Sequence, residues 1–212
     1  MSLSTYSDLK TAVTDWLGFD ELVPRVPDFV SLAEANFDRV IRAKEQVTRA
    51  TTSATTQYVS LPSDYLELDN VQINTSPVKR LEQVSLSKAD DLKRTNNATG
   101  EPIYFSIQGN TLELIPTPSS STTLEIVYYA KLEKLTASNT TNWLLSGHPD
   151  IYLYGTLLQA EPFLGNDERV TTWGTLLSKG LEELRVSDEK AQTDAGTLVM
   201  RAKNNLDYGD WK

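Results

Sequence analysis

Very few residue types in this chain could carry covalent or acid–base chemistry. His148 is the only imidazole among 212 residues and there is no cysteine. Disulfides and thiolate metal sites are therefore excluded, and so is a site built from several histidines. His148 precedes Pro149 at the start of a helical pattern, where it reads as a polar cap rather than a base. Serines and threonines abound, but no G-x-S-x-G elbow accompanies them. Neither a phosphate-cradling G-x-x-x-x-G-K-[ST] loop nor a G-x-G-x-x-G fingerprint occurs. Asp90-Asp91 and Glu182-Glu183 are neighbours in sequence only. Adjacent residues on a helix point apart, so these carboxylates read as solvated faces and not as an acid–base pair. The expectation is a protein that is not an enzyme and needs no cofactor or metal.

Chemistry of another kind, apolar anchoring, is written into residues 195–212, AGTLVMRAKNNLDYGDWK. Apolar beads recur there without a helical or strand period, so it cannot build a core of its own. Either it packs back on its own domain, or it is an arm that packs on another chain. On the second reading Leu198, Met200, Arg201, Tyr208 and Trp211 contact a partner, since large aromatic and flexible side chains supply most of the energy of small interfaces. The segment carries +1, from Arg201, Lys203 and Lys212 against Asp207 and Asp210, within a chain of −9. Trp16, Trp143 and Trp173 sit at amphipathic positions and are expected in the core. Tyr152 and Tyr154 flank Leu153, so one of the two must face a loop, solvent or a neighbour.

The elements that would position such surfaces follow from hydrophobic period. Residues 143–192 are the clearest case. Ile151, Tyr154, Leu157, Leu158 and Phe163 keep a helical spacing over 149–163. Val170, Trp173, Leu176, Leu177, Leu181 and Leu184 form a wide stripe over 167–190. The Gly165-Asn166 break between them requires an antiparallel hairpin with one apolar face to cover. Its partner is expected at the other end of the chain. Residues 4–17 place Tyr6, Leu9, Val13, Trp16 and Leu17 on one face, with Ser4 or Ser7 as cap and Gly18 past the end. Residues 26–45 place Phe29, Leu32, Ala33, Phe37, Val40 and Ile41 together, with Pro27 in the first turn.

At residue 47 the period changes to alternation. Strands are expected at 47–53, 57–61, 65–74 and 79–83, then a helix at 87–94 and a loop at 96–100. A hairpin around Gln108-Gly109-Asn110 and a strand in TTLEIVYYAKLEKL follow. Leu124, Ile126 and Tyr128 share one face of that strand. The fold class is α+β. Residues 1–46 with 143–194 form a helical bundle, residues 47–142 a β-rich insertion, and residues 195–212 a C-terminal arm.

The net charge of −9 gives no attraction to nucleic acid. MSLSTYSDLK has neither a basic start nor an apolar run, so no leader is expected, and no stretch approaches a membrane span.

Six segments taken together, MSLSTYSDLKTAVTDWL, PDFVSLAEANFDRVIR, YVSLPSDYLELDNVQIN, YFSIQGNTLELIPTP, TLEIVYYAKLEKL and NTTNWLLSGHPDIYLYGTLLQAEPFLGNDERV, resemble head-to-tail adaptor (connector) proteins of tailed, above all short-tailed, bacteriophages. The likeness is collinear and spans most of the chain. It implies a structural virion protein at the head–tail interface, present in the host cytoplasm during assembly. It implies a ring of copies, usually twelve, that docks under the portal protein, extends the DNA channel and carries the tail or nozzle protein. DNA would pass through without specific binding, and no membrane is involved. It also implies a C-terminal arm that reaches the portal, and no catalytic residues. The alternative is a tail accessory protein that binds or cleaves cell-surface glycan through the β-rich part.

Overall fold

The computed structural model describes residues 3–95, 98–165 and 168–194. The arm expected at 195–212, with Leu198, Met200, Arg201, Tyr208 and Trp211, lies outside the described residues.

Local sequence sets the helix ends. Thr5 caps α1 (Tyr6–Leu17) through a reciprocal box: its hydroxyl accepts the Asp8 N–H at 3.2 Å and the Asp8 carboxylate accepts the Thr5 N–H at 3.1 Å. The cap is thus Thr5, not Ser4 or Ser7. Gly18 ends the helix in the left-handed conformation, φ 71°. A 3-10 turn, Asp20–Arg25, leads into α2 (Val26–Val40), which has a proline in its first turn. The expected helix to residue 45 stops five residues early. Ile41 is extended, and Arg42 Nη1 donates to the carbonyls of Asp38 at 2.9 Å and Ile41 at 2.6 Å, satisfying groups the helix leaves open.

In the C-terminal part, α4 (Trp143–Gly147) starts where Asn142 accepts the Leu145 N–H at 2.9 Å. The helix expected over 149–163 divides into α5 (Pro149–Gln159) and α6 (Glu161–Leu164). Pro162 lacks the N–H that would continue the α5 ladder, so the chain kinks there. Gly165, φ 56°, closes α6, and α7 runs over Arg169–Asp194.

The two ends of the chain share one apolar cluster. Leu9, Val13 and Leu17 of α1, Phe29, Val30 and Phe37 of α2, Leu144 and Leu145 of α4, Ile151, Tyr152 and Leu157 of α5, and Trp173, Leu177 and Leu184 of α7 all belong to it. The closest approach is at Gly155, where a Cβ would lie 2.5 Å from Phe37 Cζ, so only glycine admits the ring. Several residues expected inside are not. Trp16 (45% exposed) packs one edge on Tyr154, ring centroids 6.0 Å apart, and leaves the rest in solvent. Leu32 (53%) points away from the arc formed by Val26, Phe29, Val30, Ala33 and Phe37. Val40 closes α2 on the lip of a groove, and Phe163 sits on the kinked α6. Leu176 is likewise exposed, beside the buried Leu177.

Among its described residues the middle of the chain contains ten strands: β1 (Val47–Ala54), β2 (Tyr58–Ser60), β3 (Tyr65–Ile73), β4 (Lys79–Arg80), β5 (Glu82–Gln83), β6 (Thr99–Gly100), β7 (Tyr104–Gln108), β8 (Thr111–Ile115), β9 (Thr117–Pro118) and β10 (Thr122–Ala130). Helix α3 (Leu86–Thr95) lies between β5 and β6. One sheet has the order β1-β10-β3-β4, a second β2-β8-β7-β5, and β6 pairs with β9 alone. Thr99–Gly100 is therefore a short strand, where the sequence reads as loop. The expected strand at 79–83 is shared between two sheets. Residues 131–135 leave the ladder after Ala130. The inner faces meet in a second apolar cluster that includes Val71, Ile73, Phe105, Leu112, Leu114, Leu124, Ile126 and Tyr128. Helix and sheet together make the α+β class.

Candidate docking surfaces

The chain passes between helices and sheets twice, at residues 41–46 and 131–142, and carboxylates from the helices hold both crossings. Glu34 and Asp38 lie one turn apart on α2. Asp38 accepts the Leu132 N–H at 2.8 Å, and Glu34 Oε1 accepts the Leu135 N–H at 2.8 Å. The same Glu34 oxygen accepts the Tyr152 hydroxyl at 3.1 Å, and that hydroxyl in turn accepts from Asn142 Nδ2 at 2.7 Å. Asn142 Nδ2 also donates to the Glu133 carbonyl at 2.7 Å. At the other crossing Asp188 of α7 accepts the Lys44 N–H at 2.9 Å, and Gln46 Nε2 donates to the Ala130 carbonyl at 3.2 Å. Arg42 forms an ion pair with Glu67 of β3 at 2.6 Å.

Glu34 is 2% exposed. Burial pushes its carboxyl above the ordinary range, against the pull of the two hydrogen bonds. Burial, and then the Glu34 charge, push the Tyr152 phenol up. Sequence reasoning missed Glu34, although its spacing carried a signal: it sits four residues after Val30 and three before Phe37, inside the buried stripe. Glu113 of β8 is a second buried carboxylate. It accepts from Lys93 Nζ of α3 and from Gln57 Nε2, both at 2.8 Å.

The outer surface of the helical part carries exposed apolar side chains. Trp16, Phe19, Val23 and Phe163 are each more than 40% exposed. Arg25 lies over the Phe163 ring, 5.3 Å from its centroid, and Phe29 meets the same ring at 5.4 Å. Arg169 Nη1 donates to the Trp16 carbonyl at 2.9 Å, and its guanidinium covers Trp173. Aromatic rings interleaved with arginine are the composition of interface anchors. A groove of about 400 Å³ between the end of α2 and the middle of α7 is lined by Val40, Ile41, Leu181 and Leu184, with Arg42, Glu182 and Arg185 at its polar edge.

The acidic pairs singled out in the sequence are held by cations on their own helices. Asp90 pairs with Lys93, Asp91 with Arg94, Glu182 with Arg185 and Glu183 with Lys179, each on its own helix. His148 stands at the N-cap of α5, but its side chain makes no capping hydrogen bond; its backbone N–H donates to the Leu144 carbonyl at 2.8 Å. The cap role expected for the imidazole is thus not taken. Among the described residues no three His, Cys, Asp or Glu side chains gather as metal ligands, and no helix is long and apolar enough to cross a membrane. Tyr58 is the exposed aromatic ring among the described residues of the β-rich part. Tyr154, beside the buried Tyr152, is the tyrosine turned outward, toward Trp16.

No curated protein matches the chain. The family described as SU10 adaptor protein matches over residues 4–202, nearly the whole sequence. The collinear resemblance to phage adaptors and this match agree: the chain belongs to the SU10 adaptor protein family, structural adaptors of phage virions.

Proposed function

We propose that the protein is the subunit of a head-to-tail adaptor ring that docks beneath the portal, extends the DNA channel and carries the tail or nozzle protein. The observation that supports it most is the family match over residues 4–202. The exposed Trp16, Phe19 and Phe163 with Arg25 give each subunit an apolar surface suited to a neighbouring copy. The segment 195–212, with Leu198, Met200, Arg201, Tyr208 and Trp211, holds the subunit to the portal or to that neighbour. Near-neutral and apolar, it can approach an acidic surface that a body of −10 cannot. The ring has twelve copies, matching the portal. DNA crosses its lumen without adhering, because acidic walls repel phosphate.

The test is sedimentation with purified portal rings. The full chain should co-sediment and show a ring under the portal by electron microscopy. The chain ending at Asp194 should keep its thermal unfolding midpoint and stay in the supernatant. Co-sedimentation of the truncated chain overturns the role of the segment. Failure of the full chain to join the portal overturns the ring. Salt-dependent binding of duplex DNA by the purified protein overturns the passive channel.

A further inference from the structure

α7 has two unlike flanks. Trp173, Leu177 and Leu184 belong to the core. Arg169 and Leu176, seven residues apart and so on one stripe, lie to one side of them. Ser178, Leu181 and Arg185 lie to the other, because residues two apart on a helix stand about 200° apart around its axis. The first flank adjoins the end of α1, where Arg169 Nη1 donates to the Trp16 carbonyl at 2.9 Å. Trp16, Phe19 and Leu176 are exposed and form a ridge there. The second flank faces the end of α2. Both helices pack on α5, and the groove of about 400 Å³ lies between them, with Val40 and Leu181 in its lining. That volume has room for one large aromatic side chain.

The two surfaces also differ in charge. Residues 15–21, DWLGFDE, carry −3, and Asp15, Asp20 and Glu21 are exposed around Trp16 and Phe19. At the groove Arg42 is held by Glu67, and Arg185 by Glu182 and Glu189. Arg39, exposed just before Val40, meets the Asn36 amide oxygen at 3.5 Å and no carboxylate among the described residues. An acidic ridge and a groove with an open cation at its lip attract each other. On opposite flanks of one helix they cannot meet within a subunit. Between copies they form a contact of unlike faces, the kind that repeats around a ring.

We infer that the ridge of Trp16, Phe19 and Leu176 on one subunit seats in the Val40–Leu181 groove of the next, with Asp15, Asp20 and Glu21 toward Arg39. This rests on the ring reading and gives the ring a direction, each copy offering its ridge to one neighbour and its groove to the other.

The chain has no cysteine, so introduced cysteines report the contact. Asp15→Cys marks the ridge and Ser178→Cys the groove, both at exposed positions. Each variant, and an equal mixture of the two, is assembled on purified portal rings, treated with a short bis-maleimide and sized on a denaturing gel. Portal rings treated alone give the background. The mixture should yield a cross-linked subunit dimer, and each variant alone should stay monomeric. A dimer from either variant alone overturns the inference, because it pairs like faces. A mixture that sediments with the portal but stays monomeric also overturns it and leaves the ring reading standing. Failure of the unsubstituted chain to join the portal overturns the ring reading, and the inference with it. Val40→Asp reads the groove without a cysteine. It sets an acid against the acidic ridge, and should keep the thermal unfolding midpoint while losing ring assembly. Ring assembly by Val40→Asp equal to that of the unsubstituted chain overturns the inference.

Discussion

Glu34 should be the most informative residue to change. Its Oε1 holds two donors, the Leu135 N–H and the Tyr152 hydroxyl. Glu34→Ala leaves both without that partner in a site closed to water. A buried donor left unsatisfied costs about 1–3 kcal/mol, so the two together cost about 2–6 kcal/mol. The charge acts in the opposite direction. Burial raises the folded carboxyl above its unfolded value, so over the interval between them the native state binds the extra proton. Stability from this group is fully present below the unfolded pKa and is lost as pH rises through the folded one. Glu34→Gln keeps an accepting oxygen and removes the charge. Urea unfolding followed by tryptophan fluorescence, at pH 4 and pH 7, separates the two effects. Glu34→Ala should lose about 2–6 kcal/mol at pH 7. Glu34→Gln should match or exceed wild type there and lack the wild-type decline from pH 4. A Glu34→Ala chain within about 1 kcal/mol of wild type, or a Glu34→Gln chain as damaged as Glu34→Ala, refutes the reasoning.

Gly155→Ala places a methyl 2.5 Å from Phe37 Cζ and 2.8 Å from Cε1. Phe37 is itself pinned edge-on to Tyr152 at 5.3 Å. Overpacking should exceed the gain in helix propensity and leave a net loss of about 2 kcal/mol. Adding Phe37→Leu should then cost less than the two single losses summed, and strict additivity would count against the clash. Trp173→Ala, from a ring 3% exposed, should cost about 3–5 kcal/mol in chemical denaturation; an unchanged midpoint would place the ring outside the core. Burial and the hydrogen bond donated to Asp64 push the Tyr128 phenol up to about 12. The native state therefore keeps a proton that unfolded tyrosine releases near 10, so stability should fall as pH rises from 10 toward 12. Ionisation of all nine tyrosines at the ordinary value, with the fold intact by circular dichroism, would contradict this.

Residues that act through local period were legible. The change of period at residue 47 coincides with the start of β1, and the alternation of Leu124, Ile126 and Tyr128 matches their burial. The meeting of the chain's two ends followed from two apolar stripes with no other partner. What escaped depends on partners distant in sequence. Glu34 meets residues 101 and 118 positions away, and an acid on a helix reads as solvated unless its place in the stripe is weighed. α4 has only five residues, too few to show a period, and its cap Asn142 stands in a run of polar residues that reads as loop. Trp16 and Leu32 show that residue type alone does not fix burial: a short helix covers a narrower arc than its apolar residues span. Residues 195–212, which hold every contact residue named from the sequence, lie outside the described residues.

A core assembled from both ends of the chain dictates an order of events during synthesis. The β-rich part, residues 47–130, holds all the residues of its own cluster and can close as soon as it has been made. α1 and α2 emerge earlier, yet the residues that cover them, from Leu132 to Leu184, come last. Until then Leu9, Val13, Phe29 and Phe37 present an uncovered stripe that only transient partners or a chaperone can shield. The helical part thus folds after the sheets it carries. A nascent chain cut short before α7 should be far stickier than either the finished subunit or the isolated β-rich part.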